Sequence, residues 1–158
     1  MSLALAVEQE LARLTCPASS PQRLEAATAQ HRFVCELVQL ESMGCAFDSF
    51  EVRSDRLMTA SIEQLKKVAE QLSQRLTYLL EAIRPIEVDS DQCVVQLRSV
   101  PPQKDDAGVR YYELQVARGG ILKLCRYHAP LGQPRVSIPA QVTREVLLRL
   151  VRDFAEAT

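Results

Sequence analysis

Val109-Arg110-Tyr111-Tyr112-Glu113-Leu114-Gln115-Val116-Ala117-Arg118-Gly119-Gly120-Ile121-Leu122-Lys123-Leu124-Cys125-Arg126-Tyr127-His128 decides the reading of this chain. Two runs rich in Tyr, Leu and Val flank Arg118-Gly119-Gly120, which is a hairpin signal. A two-residue turn at Gly119-Gly120 sets Val116 against Lys123 and Leu124 against Gln115, mixing apolar with polar on both faces. A three-residue loop, Arg118 to Gly120 with a left-handed glycine, pairs Val116 with Leu122, Leu114 with Leu124 and Tyr112 with Arg126. Tyr111, Glu113, Gln115, Lys123, Cys125 and Tyr127 then share the other face. A one-residue slip exchanges the faces, so the second register is preferred. One face is core; the other is polar and carries two tyrosines.

The chain after Pro85 keeps period two. Residues 85–89 open a sheet, and 92–100 form a strand with Cys93, Val95 and Leu97 inward. Pro101 to Gly108 is a polar loop, and 130–134 a second one. A last short strand, 134–138, puts Val136 and Ile138 on one side. From Ala140 a closing helix carries Val142, Val146, Leu147, Leu150, Val151 and Phe154.

Before the sheet the pattern reads as helical. Residues 3–15 place Leu3, Val7, Leu11 and Leu14 on one stripe. Ser20 and Pro21 suit a helix start, and Phe33, Leu37 and Leu40 predict a second helix running to about Met43, ended by Gly44. Residues 46–53 predict a short strand, and 54–60 a connection. Ser61 and Gln64 form a capping box for a third helix, with Glu63 and Lys67 spaced as an ion pair. Ile62, Leu65, Ala69, Leu72, Leu76, Leu79 and Ile83 hold heptad spacing over three heptads before Pro85. Val68, Leu80 and Ala82 widen the stripe, so both a dimer seam at Leu65, Leu72, Leu76 and Leu79 and a core-packed helix fit.

The expected fold is therefore α+β: N-terminal helices and a long central helix on one face of an antiparallel meander of about four to five strands, closed by a C-terminal helix. The 158 residues read as one domain, with a possible sub-division into a helical part, 1–57, and a helix-meander-helix core, 58–158. A chain this long buries roughly 70% of its unfolded surface and needs no covalent staple.

Composition narrows the function classes. Five cysteines without a CxxC pair predict reduced thiols in the cytoplasm. The apolar start, Met1 to Val7, lacks the basic residues of a signal peptide, and no apolar run reaches membrane-spanning length. The net charge of −1 gives no general attraction for nucleic acid. It is unevenly spread: residues 1–92 carry 9 Lys/Arg against 14 Asp/Glu, and residues 93–158 carry 10 against 6. The two parts attract each other, within a fold or a dimer, or the basic part meets an acidic partner.

Chemical constellations are sparse. His31 and Cys35, four apart on the expected second helix, supply two metal ligands where a closed zinc site needs four. Cys125 and His128 are three apart on a strand and point to opposite faces. Glu113 faces Cys125 instead, and a nearby carboxylate raises a thiol's pKa. Asp105 and Asp106 fall short of a calcium cage. Neither GxxxxGK[ST] nor GxGxxG occurs. No cofactor or metal is expected.

The outer sheet face is the one candidate binding surface. It holds Arg98, Tyr111, Glu113, Gln115, Lys123 and Tyr127, with Gln96, Arg135 and Ser137 from adjoining strands. The first expectation is a non-catalytic cytoplasmic protein-interaction module, homodimeric or bound to another protein, with no membrane contact. The second is a binder of single-stranded nucleic acid or another anionic ligand on that face, by ring stacking and phosphate pairing. A third is an enzyme assembled from Cys125, Glu113, His128 and Tyr127 in space.

Overall fold

A computed structural model describes residues 1–158. Its centre is the hairpin of β7 (Gly108–Ala117) and β8 (Ile121–Pro130), in the expected register: Val116 faces Leu122, Leu114 faces Leu124, and Tyr111 faces Tyr127. Gly119 and Gly120 both have positive φ, at 92° and 79°. A Cβ on Gly120 would lie 2.0 Å from the Ser54 carbonyl oxygen, so only glycine fits where the loop crosses that strand end.

The sheet is larger than the sequence suggested. Strand accounts for 45% of the residues against 25% helix, which replaces the expected four to five strands under a long central helix with ten antiparallel strands and three short helices. The remaining strands are β1 (Gln22–Ala27), β2 (His31–Leu40), β3 (Gly44–Ser54), β4 (Ile83–Asp89), β5 (Val94–Ser99), β6 (Gln103–Asp105), β9 (Val136–Ile138) and β10 (Ala140–Thr143). The main path runs β1-β2-β3-β8-β7-β5-β4, with β6 on β7, β9 on β8 and β10 on β3. β3 pairs with β8 at its C-terminal end and with β10 at its N-terminal end. β9 and β10, split by Pro139, thus extend β8 and β3 where those strands stop pairing with each other.

The expected second helix is the β1–β2 hairpin. Its apolar positions explain the misreading, because Phe33 and Leu37 lie four apart, a spacing that keeps both a helix and a strand on one face. Cys35 between them decides for period two: Phe33, Cys35 and Leu37 are all buried. The turn needs no glycine. Thr28 donates its N–H to the His31 carbonyl (2.8 Å), and its hydroxyl accepts from the His31 N–H (3.2 Å).

The three helices are α1 (Leu3–Leu11), α2 (Ile62–Arg75) and α3 (Arg144–Glu156). The Ser61–Gln64 capping box opens α2 as expected. Glu63 pairs with Lys66 at 3.3 Å, rather than with Lys67. The helix ends ten residues short of Pro85. Tyr78 donates its hydroxyl to Asp153 on α3 (2.6 Å), and Arg149 lies 4.0 Å from its ring centre. This pulls the chain off the helical path. Leu65, Leu72, Leu76 and Leu79, the candidate dimer seam, are all buried inside this chain, the last two on non-helical backbone. At the C-terminal end, Ala140–Thr143 is strand rather than helix, and Thr143 caps α3 through its hydroxyl and the Val146 N–H (3.0 Å).

α1, α2 and α3 all lie on the face that holds Leu24, Phe33, Phe50, Leu124, Leu114 and Leu97. One apolar cluster runs from Leu3 to Ala157, drawing on both sides of the 57/58 division. Phe50 packs edge-on against Phe33 and Phe154, each 5.0 Å between ring centres, and ties β2 and β3 to α3. No helix is long and apolar enough to cross a membrane.

Candidate functional site

The outer sheet face brings the sequence-predicted residues together. Arg98 faces Glu113, Gln96 faces Gln115, and Gln115 in turn faces Lys123. Ser137 on β9 faces Tyr127. The face is not an open stacking platform, because Arg135, from the loop before β9, folds over it. Its guanidinium lies 3.9 Å from the Tyr127 ring centre, donates to the Tyr111 hydroxyl (3.3 Å) and pairs with Glu113. Arg98 sits 4.7 Å over the Tyr111 ring and 3.2 Å from the Glu113 carboxylate.

Two cations and two rings therefore enclose one carboxylate. Glu113 is 4% exposed and Tyr111 is buried with it. The hydrogen bonds from Arg135 to Glu113 and Tyr111 hold the guanidinium above its ordinary pKa. Burial raises Tyr127 as well. Lys123 and Gln115 stay exposed beside the cluster. Further along the sheet, Lys123 shares a shallow hollow with Arg23, Arg32 and Arg53, opposed by Glu36 and Glu51.

The thiols and histidines do not form a reactive pair. Cys125 and His128 lie at odd spacing on β8, and burial, more than Glu113, raises the Cys125 pKa. Burial pushes Cys45 up to about 11, and Cys35 well above its ordinary value. His31 is engaged by the Thr158 hydroxyl (2.8 Å), and burial lowers its pKa. No three metal-ligating side chains stand together.

A second surface, on the helix side, was missed. The β7–β8 hairpin extends past the helices, and its far half floors an open cleft of about 830 Å³. Tyr112 and Arg126 form the floor. Leu79, Leu80, Pro101, Ile138 and Val146 contribute to the walls. Arg126 lies 4.5 Å over the Tyr112 ring, pairs with Glu81 (3.1 Å) and donates to Gln103 (3.0 Å). This ion pair is nearly enclosed, with the two side chains 11% and 12% exposed. At the lip, Leu80 has φ 65° and is 96% exposed. A left-handed leucine costs roughly 1–2 kcal/mol, and its side chain recovers nothing by burial.

The sequence held one signal for this cleft. In the hairpin register, Arg126 falls on the apolar face opposite Tyr112, a charge where the core should be. Nothing in the sequence marked Leu80, whose conformation follows from the early end of α2. Compared with protein-family models, with curated proteins and with solved structures, the chain matches none.

Proposed function

We propose that this protein is a non-catalytic interaction module, working as a homodimer in a reducing, cytoplasmic setting and presenting the helix-side cleft to a partner polypeptide. Leu80 carries the reading. Its left-handed backbone is strained in the free chain with no burial to offset it, and strained residues collect where a contact is made. The cleft beside it combines apolar walls with Tyr112, Arg126 and Arg110, which suits an extended segment bearing an apolar anchor. The free cysteines agree with a reducing compartment.

The experiment is panning of a random-peptide display library against the folded protein. A sequence class that binds the wild type and Leu80→Met, and is lost with Leu80→Asp, supports the cleft. Peptides that bind Leu80→Asp equally, or no enrichment at all, overturn it.

The second reading, an anionic ligand or single-stranded nucleic acid on the outer face, has one observation in its favour. Arg32 and Arg53 stand directly opposite each other, and Lys123 lies in the same hollow, where four cations outnumber Glu36 and Glu51 even though Glu51 pairs with Arg53 and faces Lys123. Its site is this hollow rather than the tyrosine cluster, whose rings already carry arginines. Binding of a labelled oligonucleotide that weakens with salt supports it; no binding at low salt removes it.

A further inference from the structure

We infer that two copies of this chain join edge to edge along β1, antiparallel, with Leu24 of one copy facing Leu24 of the other across the two-fold axis. The inference rests on the homodimeric reading above and names the surface that would serve it.

The phase of the backbone sets which groups β1 offers at its free edge. Thr28 and His31 are opposite each other and hydrogen-bonded. Bonded pairs alternate along an antiparallel ladder, so 26/33, 24/35 and 22/37 are the others. The N–H and C=O groups of Arg23, Glu25 and Ala27 therefore point away from β2, toward the free edge. Arg23, Glu25 and Ala27 are exposed, and no strand of this chain covers that edge.

A two-fold axis through β1 must fall on one residue, or the apolar face of one copy would meet the polar face of the other. Centred on Arg23, it sets arginine against arginine in a bonded pair; centred on Glu25, glutamate against glutamate. Centred on Leu24, each Arg23 faces Glu25 of the second copy. Both residues have their backbone groups turned outward, so the two bonded pairs the register requires are the two oppositely charged pairs. Leu24 then faces Leu24 in the closer, non-bonded position on the helix side. Arg23 and Glu25 already lie 2.6 Å apart within the chain, so both charged ends are in place to exchange partners.

The surroundings agree. α1 lies on β1 as the outermost helix of its layer, and joining the edges brings the two α1 helices side by side. Leu5 and Met1 are exposed there, at 44% and 79%. The opposite edge of the sheet is closed to the same reaction. On β4 the Val100 N–H bonds the Ala82 carbonyl, so residue 84 also faces β5 and Pro85 faces out, without an N–H to give. A register shift follows between Pro85 and Glu87. Proline and a bulge are the usual guards of a free edge. With one edge self-complementary and the other blunted, pairing stops at two copies.

The test uses the full chain with Arg23→Glu and Glu25→Arg, each melted to confirm folding, and dissociation constants from analytical ultracentrifugation over a dilution series. Each variant alone sets like charges opposite each other, and its dissociation constant should rise about tenfold or more. The Arg23→Glu chain is acidic at both positions and the Glu25→Arg chain is basic at both. Mixed in equal amounts, they again set opposite charges face to face, and the mixed dimer should recover to within about threefold of the wild type. Variants that dimerise as tightly as the wild type would overturn β1 pairing and leave the homodimer standing on another surface. Weakened variants without recovery on mixing would overturn it too. A wild type that stays monomeric at every concentration would overturn the homodimeric reading itself, and this inference with it.

Discussion

Arg135 closes over Glu113 from a loop 22 residues further along the chain, paired with its carboxylate while stacked on Tyr127. The contact covers the Glu113 carboxylate while leaving the two guanidiniums themselves partly in solvent. Its energetic meaning follows from burial: a carboxylate this enclosed is tolerable because two guanidiniums face it, and those guanidiniums are held in place because it is there.

Glu113→Gln should therefore be costly. It leaves Arg98 and Arg135 without their shared anion, but both guanidiniums are more than a third exposed and water screens them, so the cost is about 1–2 kcal/mol, or a fall in melting temperature of about 5 °C. Thermal unfolding followed by circular dichroism measures this. A variant that melts with the wild type would mean that solvent screens the cluster completely.

Leu80→Gly should go the other way. It relieves the left-handed leucine, while glycine's extra freedom in the unfolded chain takes back part of the gain, for a net stabilisation of up to about 1 kcal/mol. Denaturant unfolding midpoints test this. Clear destabilisation would mean that the exposed side chain contributes a contact within the free chain.

The thiols should separate by reactivity. Cys16 is exposed, whereas Cys35 and Cys45 are buried with raised pKa values, about 11 for Cys45. Near pH 8 they are neutral thiols, and the thiolate is the reactive form. Iodoacetamide with peptide mapping should label Cys16 first, Cys125 slowly, and Cys35, Cys45 and Cys93 only on unfolding. Fast labelling of Cys125 would revive the enzyme assembled around it.

His31 should give a pH dependence with a definite sign. Burial, with Arg56 adding to it, lowers its pKa below 6.5 in the folded chain. The unfolded chain then binds the proton more readily, so this contribution to stability is present above pH 6.5 and lost as pH falls through the folded value. The wild type should lose more melting temperature between about pH 7 and pH 5 than His31→Asn does. Equal losses would assign the dependence to other groups.

The hairpin at 109–128 was legible because only one register separates apolar from polar, and the glycine loop confirms it. The same register placed Tyr111, Glu113, Gln115, Lys123 and Tyr127 on one face, and period two on the strand before it added Arg98. Arg135 was expected beside them on the adjoining strand; that it lies across them from the loop before β9 was not, since a loop's return over a sheet leaves no periodic trace. Residues 20–43 were misread because Phe33 and Leu37 satisfy both periods, and Ser20-Pro21 supplied a helix start that tertiary pairing overrode. The heptads after Ser61 marked burial correctly, as Leu65, Leu72, Leu76 and Leu79 show. They overstated helix length, because the Tyr78–Asp153 contact that turns the chain joins residues 75 apart.

The most direct measurement is the solution mass of the unmodified chain, by light scattering behind a sizing column at low and high salt. Pairing along β1 gives a mass near twice 17.7 kDa that falls on dilution, with the dimer weaker at high salt because charged pairs flank its axis. A mass of 17.7 kDa at every concentration and salt would contradict it.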